Sequence, residues 1–84
     1  MSSVGVTIRE VLKTHARLVV PIDTLTDTND LYENGMTSHA SVNVMLALED
    51  EFDVEFSESL LRKGTFQSVA AIRTALGSMG VDIS

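Results

Sequence analysis

In three separate stretches of this chain, apolar residues return every third or fourth position, and no segment shows a clear strand-like alternation. That period confines the chain to helices packed on one another. It gathers apolar side chains on one stripe of a helix, whereas a half-buried strand needs a period of two. Ile8, Val11, Leu12 and His15 fall at i, i+3, i+4 and i+7. Thr7 and Glu10 stand in capping-box spacing, so a first helix is expected over about Thr7 to Arg17. Pro21 disfavours the α region at Val20 and closes that segment. A long connection, about Pro21 to Thr37, follows. Its Thr, Asp and Asn residues bond their own backbone in competition with helix. A loop of this length in a small domain has a function or hides a short helical turn.

A second helix is expected from Thr37 or Ser38 to about Asp53. Val44, Met45, Leu48 and Phe52 form one arc, and Val42 and Leu46 form a second stripe beside it. Together they span roughly 200° of the wheel, wider than one core face requires. Either this helix is central to the bundle, or the Val42/Leu46 stripe faces a partner. Ser57 can cap a short third helix through Leu60, Leu61 and Arg62, which Gly64 ends. Thr65 can cap a last helix carrying Phe66, Val69, Ile72, Leu76 and Met79, dissolved by Gly77 and Gly80.

The chain has 84 residues, enough for one domain. A core over about 6–78 is expected, with flexible tails at 1–5 and 79–84. It contains no cysteine, so disulfides and cysteine-ligated zinc are excluded. Three Phe, one Tyr, one Pro and no Trp are too few for a typical all-β domain. Charge is segregated. No Lys or Arg occurs from Leu18 to Leu61, a stretch with ten of the twelve acids, and the net charge is −6. A chain this acidic is unsuited to nucleic acid or to an anionic membrane face. No apolar run nears the roughly 20 residues that span a bilayer. The first residues lack the basic and apolar regions of a secretory signal, so a cytoplasmic, monomeric protein is the expectation. The acidic stretch is either a solvated surface or a face that steers basic partners.

Catalytic and metal sites are hard to build. His15 and His39 lie far apart, with no second His one turn away, and His15 is read as a helix-interface residue. A calcium loop begun at Asp27 puts Tyr32 where glycine is needed and Ser38 where a bidentate Glu is needed. Ser38 and His39 are adjacent, and neighbours on a helix point about 100° apart, so His39 is a poor base for Ser38. What remains is Gly35-Met36-Thr37-Ser38 at the start of the second helix. A serine there is an ordinary cap, or it can carry a phosphodiester at the positive end of the helix dipole.

The residues Asp30-Leu31-Tyr32-Glu33-Asn34-Gly35-Met36-Thr37-Ser38, followed by Val42 and the run Val44 to Phe56, closely resemble the acyl carrier protein family. Thr65-Phe66-Gln67-Ser68-Val69 resembles the opening of that family's last helix, so the resemblance covers about Thr7 to Leu76. It implies an all-α, small four-helix bundle with a long loop between the first and second helices and a short third helix. It also implies 4′-phosphopantetheine on Ser38, whose thiol holds cargo as a thioester. A carrier does no chemistry of its own. The implied partners are a phosphopantetheinyl transferase, a cargo-loading ligase and a downstream transferase. They would recognise Thr37, His39, Val42, Leu46, Glu49, Asp50 and Asp53.

The sequence departs from the fatty-acid pattern. It reads Thr37-Ser38-His39 where Asp-Ser-Leu is usual, and has Ala40 and Asn43 where those carriers place acids. Coulomb steering near the arm is thereby reduced. The site and the Val-Met-Leu-Ala-Leu-Glu-Asp-Glu-Phe-Asp run look most like small stand-alone bacterial carriers. Some of these are charged with an amino acid by a dedicated ligase. That type is the expectation, with fatty-acid, polyketide and nonribosomal-peptide carriers as alternatives. A helical interaction module without a prosthetic group is the reading from another class.

Overall fold

The structure is a computed structural model that describes residues 3–83. It holds three α-helices: α1 (Val4–His15), α2 (Ser38–Phe52) and α3 (Val69–Ser78), with no strand among the described residues. Helix α1 is the hub and packs against both others. Ile8 and Leu12 of α1, Val44 and Leu48 of α2, and Val69, Ile72 and Leu76 of α3 are almost wholly buried between them. Each such side chain contributes roughly 1.5–3 kcal/mol on leaving water.

The helix ends differ from expectation in instructive ways. Helix α1 begins three residues early. Ser3 caps it by accepting from the Val6 N–H at 3.2 Å, and Thr7 lies inside the first turns, its hydroxyl turned back to the Ser3 carbonyl. It stops at His15, and Arg17 takes a left-handed conformation (φ 56°). The expected third α-helix, and with it the four-helix count, is not found among the described residues. Two 3-10 turns, Glu58–Leu60 and Lys63–Phe66, stand there instead. The Ser57 side chain makes no cap bond and contacts the Ser59 hydroxyl. Gly64, without a side chain to pack, sits inside the second of these turns. Ser68, not Thr65, caps α3 by accepting from the Ala71 N–H.

Much of the expected tail regions is structured. Val4 and Gly5 belong to α1. After α3, Gly80 (φ +94°) forms a Schellman-type end, with the Val81 N–H donating to the Leu76 carbonyl at 3.1 Å. Arg73 then donates to the Ile83 carbonyl at 2.7 Å. Residues 1–2 and 84 of those tails lie outside the described residues.

The long connection does hide a short helical turn, Ile22–Thr24. Four apolar plugs, Ile22, Leu25, Leu31 and Met36, anchor the connection in the core. Arg9 reaches across from α1. Its guanidinium donates to the carbonyls of Ile22 (3.1 Å) and Leu25 (2.9 Å) and pairs with the Asp27 carboxylate at 2.6 Å. The Asp27 carbonyl accepts from Ala70 at the start of α3. Asp30 does similar work nearer α2. One carboxylate oxygen accepts from the Tyr32 and Glu33 N–H groups, and the other from the Gln67 side chain at 2.9 Å. Leu31 adds a backbone bond to the Gln67 carbonyl at 2.7 Å.

Gly35 closes the connection with φ +112°. A Cβ there would lie 2.9 Å from both the nitrogen and Cγ1 of Val19, whose N–H bonds the Asn34 carbonyl. Backbone conformation and close approach both require glycine. Gly35→Ala should therefore cost about 2 kcal/mol or more, read as a fall in the urea midpoint with unchanged slope. Partial desolvation pushes the pKa of the Asp30 carboxyl up. The bonds from Gln67, Glu33 and Tyr32 and the nearby Lys63 outweigh it and hold its carboxyl below the ordinary value of 3.8. A carboxyl held low stabilises the fold at pH above its unfolded value and stops doing so as pH falls through the folded one. Asp30→Asn should accordingly be less stable than wild type near neutrality, with the gap closing below about pH 3.8 in urea titrations.

Candidate functional site

Thr37 is extended (φ −82°, ψ 165°), and its hydroxyl accepts from the Ala40 N–H at 3.0 Å. That makes it the cap of α2 and puts Ser38 at the first helical position, as the sequence indicates. Thr37, Ser38 and His39 are all exposed. The Ser38 hydroxyl has no hydrogen-bond partner among the described residues. Its carbonyl accepts from the Ser41 hydroxyl at 2.6 Å. The first turn of α2 contains no acid. Met36, two residues before Ser38, is 2% exposed and bonds the Leu31 carbonyl. The serine is thus presented to solvent from a rigid base.

Beside Ser38 lies an open groove of about 350 Å³. Val42 and Met45 of α2 form one wall, Leu61, Arg62 and Lys63 the other, and the buried Phe66 lies at its floor. Phe66 stacks at a tilt on Phe56, ring centres 5.2 Å apart. The Lys63 ammonium sits 4.9 Å above the Tyr32 ring. No acid lines this groove. Leu61 and Arg62 lie between the two 3-10 turns and Lys63 opens the second, in the segment where a short helix capped by Ser57 was expected. An exposed hydroxyl free of other bonds, next to an uncrowded groove with two cations and no acid, suits the covalent attachment of an anionic group.

The further residues expected to meet partners divide into two kinds. Val42 (49%) and Leu46 (53%) are exposed although α2 buries Ala40, Val44 and Leu48 on its opposite side. The extra apolar width of α2 is thus offered to solvent. Asp50 and Asp53 are exposed, and Asp53 ends the helix in a left-handed conformation (φ 52°). Glu49 differs: it is half-buried, and its carboxylate accepts from the Phe56 N–H at 2.8 Å. It braces the chain leaving α2. No base stands in the last turn of the helix. Leu46 and Asp50 also border a larger groove of about 570 Å³ against α1, where His15 lies half-buried with Glu10 and Glu51. Among the described residues no three His, Asp or Glu side chains gather as metal ligands, and no helix is long and apolar enough to cross a membrane.

Arg9, Asp30, Gln67 and the cation pair Arg62/Lys63 were not singled out as site residues by the sequence. The one available signal was charge order, since Arg62 and Lys63 are the first bases after the long acidic stretch.

Comparison with known proteins agrees with this geometry. Residues 6–76 match the family described as phosphopantetheine attachment site. The chain is 47% identical over 66 residues to an aminoacyl carrier protein of Agrobacterium fabrum, covering 79% of this chain and 80% of that protein. It superposes with a TM-score of 0.85 and 42% identity on a chain in the complex of an engineered Bradyrhizobium japonicum glycine:[carrier protein] ligase with a carrier protein from Agrobacterium tumefaciens and AMP, covering 87% of this chain and 97% of the other. A second match, at TM-score 0.72 and 30% identity, covers 84% of this chain and 95% of a chain in the Bradyrhizobium japonicum ligase complexed with glycylated carrier protein. With an exposed serine opening α2 and a match over nearly its whole length, this chain belongs to the phosphopantetheine attachment-site family of carrier proteins.

Proposed function

We propose that Ser38 carries 4′-phosphopantetheine and that a dedicated ligase charges the arm with an amino acid, glycine being the first to try. The observation that carries this reading is the exposed, unbonded Ser38 hydroxyl at the first position of α2, inside the family match. When bound, the arm supplies a thiol that holds cargo as a thioester, which a chain without cysteine cannot do itself. The residues around it present and orient. Thr37 fixes the helix start, Met36 anchors the approach, and Gly35 turns the backbone. Among the described residues no group is hydrogen-bonded to the Ser38 hydroxyl, so on this reading the phosphopantetheinyl transferase supplies the base. The aminoacyl cargo is favoured by the relatives, one an aminoacyl carrier protein and others found with a glycine:[carrier protein] ligase. A downstream transferase then removes the cargo. The chain acts as a single domain, a monomer, in the cytoplasm. Val42, Leu46, Asp50 and Asp53 form the docking face, with Thr37 and His39 at its edge.

Intact mass after co-expression with a broad-specificity phosphopantetheinyl transferase tests the site. The wild type should gain one phosphopantetheine and Ser38→Ala none. A gain in both would remove Ser38 from the role. No gain in either would favour an interaction module without a prosthetic group. Adding a glycine:[carrier protein] ligase, glycine and ATP should then increase the mass by one glycyl group.

Glu49 and Asp50 should separate in function. Glu49→Ala should lose about 1 kcal/mol of stability with no partner present, because the Phe56 N–H loses its acceptor. Asp50→Lys should leave the unfolding midpoint within about 0.5 kcal/mol yet raise the ligase KM in a salt-dependent way.

A further inference from the structure

The turn that leads into α2 carries the dipeptide Asn34-Gly35, whose chemistry is independent of Ser38. An asparagine amide carbon lies within reach of the next backbone nitrogen, and glycine leaves that nitrogen unshielded because it has no side chain. The other asparagines, Asn29 and Asn43, are followed by Asp30 and Val44, whose side chains crowd the same approach. In the folded chain both reacting groups of the pair are engaged elsewhere. The Asn34 side-chain nitrogen donates to the Asp30 carbonyl at 2.8 Å, and the Gly35 N–H donates to the Tyr32 carbonyl at 3.2 Å. The Asn34 carbonyl accepts from the Val19 N–H at 2.9 Å. Asn34 and Gly35 are nonetheless only half-buried, so water reaches them whenever those bonds part.

We propose that Asn34 is a site of spontaneous deamidation, closed by the folded turn and opened when the connection between α1 and α2 loosens. The Gly35 nitrogen gives its proton to solvent base and bonds to Cγ of Asn34. The amide nitrogen leaves as ammonia, and a cyclic imide forms. Water then adds to one imide carbonyl. Breaking the new Cγ–N bond yields aspartate. Breaking the original peptide C–N bond routes the main chain through Cγ and yields isoaspartate. Water is consumed, ammonia is released, and the chain gains a negative charge. Aspartate at this position has no donor for the Asp30 carbonyl and sets acceptor against acceptor, in a stretch that already holds Asp27, Asp30 and Glu33. Isoaspartate lengthens the backbone just before Gly35, where a single added Cβ would already lie 2.9 Å from Val19. The product therefore weakens the turn whose opening made it.

The test holds the wild type in mildly alkaline buffer, folded or unfolded in guanidinium chloride, and reads its digests by mass and by isoaspartyl methyltransferase labelling. In the unfolded chain position 34 should convert to aspartate and isoaspartate, with Asn29 and Asn43 lagging. Asn34→Gln should show no conversion at that position. The folded chain should convert at least about tenfold more slowly. Gln67→Ala removes one bond to the Asp30 carboxylate. It should speed the folded reaction about two- to fivefold and leave the unfolded rate unchanged. Asn34→Asp should unfold at a lower urea midpoint than wild type. Conversion as fast in the folded chain as in the unfolded one, or spread evenly over the asparagines, overturns the site. A folded Gln67→Ala rate equal to wild type overturns its control by the connection, and an unchanged Asn34→Asp midpoint overturns the weakening of the turn. None of these outcomes bears on arm attachment at Ser38, which intact mass of fresh protein reads separately.

Discussion

One guanidinium group holds the connection on which the rest depends. The chain between α1 and α2 has almost no repetitive structure, so its backbone polar groups need partners from elsewhere. Arg9 satisfies two carbonyls and one carboxylate of that connection at once, and Asp27 passes the tether on to α3. Asp30 and Gln67 repeat the arrangement closer to Ser38. Without these bonds the four apolar plugs would be the connection's main hold on the core. With them, the first position of α2 is fixed relative to all three helices. The attachment proposed for Ser38 calls for a point that does not move, and polar tethers fix that position because they are directional where apolar burial is not.

The acids, which composition treats as one population, perform two separate tasks. Asp27, Asp30 and Glu49 accept from backbone or side-chain donors and hold the chain together. Asp50 and Asp53 face solvent beside the exposed Val42/Leu46 stripe. The bases divide likewise: Arg9 and Arg73 hold backbone carbonyls, whereas the side chains of Lys13, Arg17 and Arg62 make no hydrogen bond among the described residues, and Arg62 lies beside Ser38. A surface that is acidic at the far end of α2 and basic beside the serine gives a partner two marks from which to orient along one helix.

Helix α2, its Thr37 cap and the place of Ser38 at its start were legible because several local signals coincide there: a hydroxyl cap, a glycine at the required turn, and a long apolar period. The core of α3 was equally legible in Val69, Ile72 and Leu76. The misses share a cause. Thr7, Ser57 and Thr65 each have good capping chemistry, but Ser3, four residues before Thr7, and Ser68, three after Thr65, take the caps, and Ser57 makes no cap bond. Around Gly64 the stretch is too short and too weakly periodic to sustain an α-helix, and the chain settles into 3-10 turns. The roles of Arg9, Asp30 and Glu49 were invisible because each bonds residues that only the fold brings near, apart from the helix-to-loop contact of Glu49 with Phe56.

The crowd of acids at the end of α2 has a consequence for how binding is measured. Glu49, Asp50, Glu51 and Asp53 sit at or just beyond the negative end of a helix dipole, and no base in the last turn answers them. The free chain therefore carries an electrostatic penalty that dissolved ions relieve. Salt then acts twice against a cationic partner: it screens the attraction, and it stabilises the unbound state with which the complex competes. The slope of affinity against ionic strength for this carrier reports both effects, and overstates the number of ion pairs at the interface if it is read as association alone.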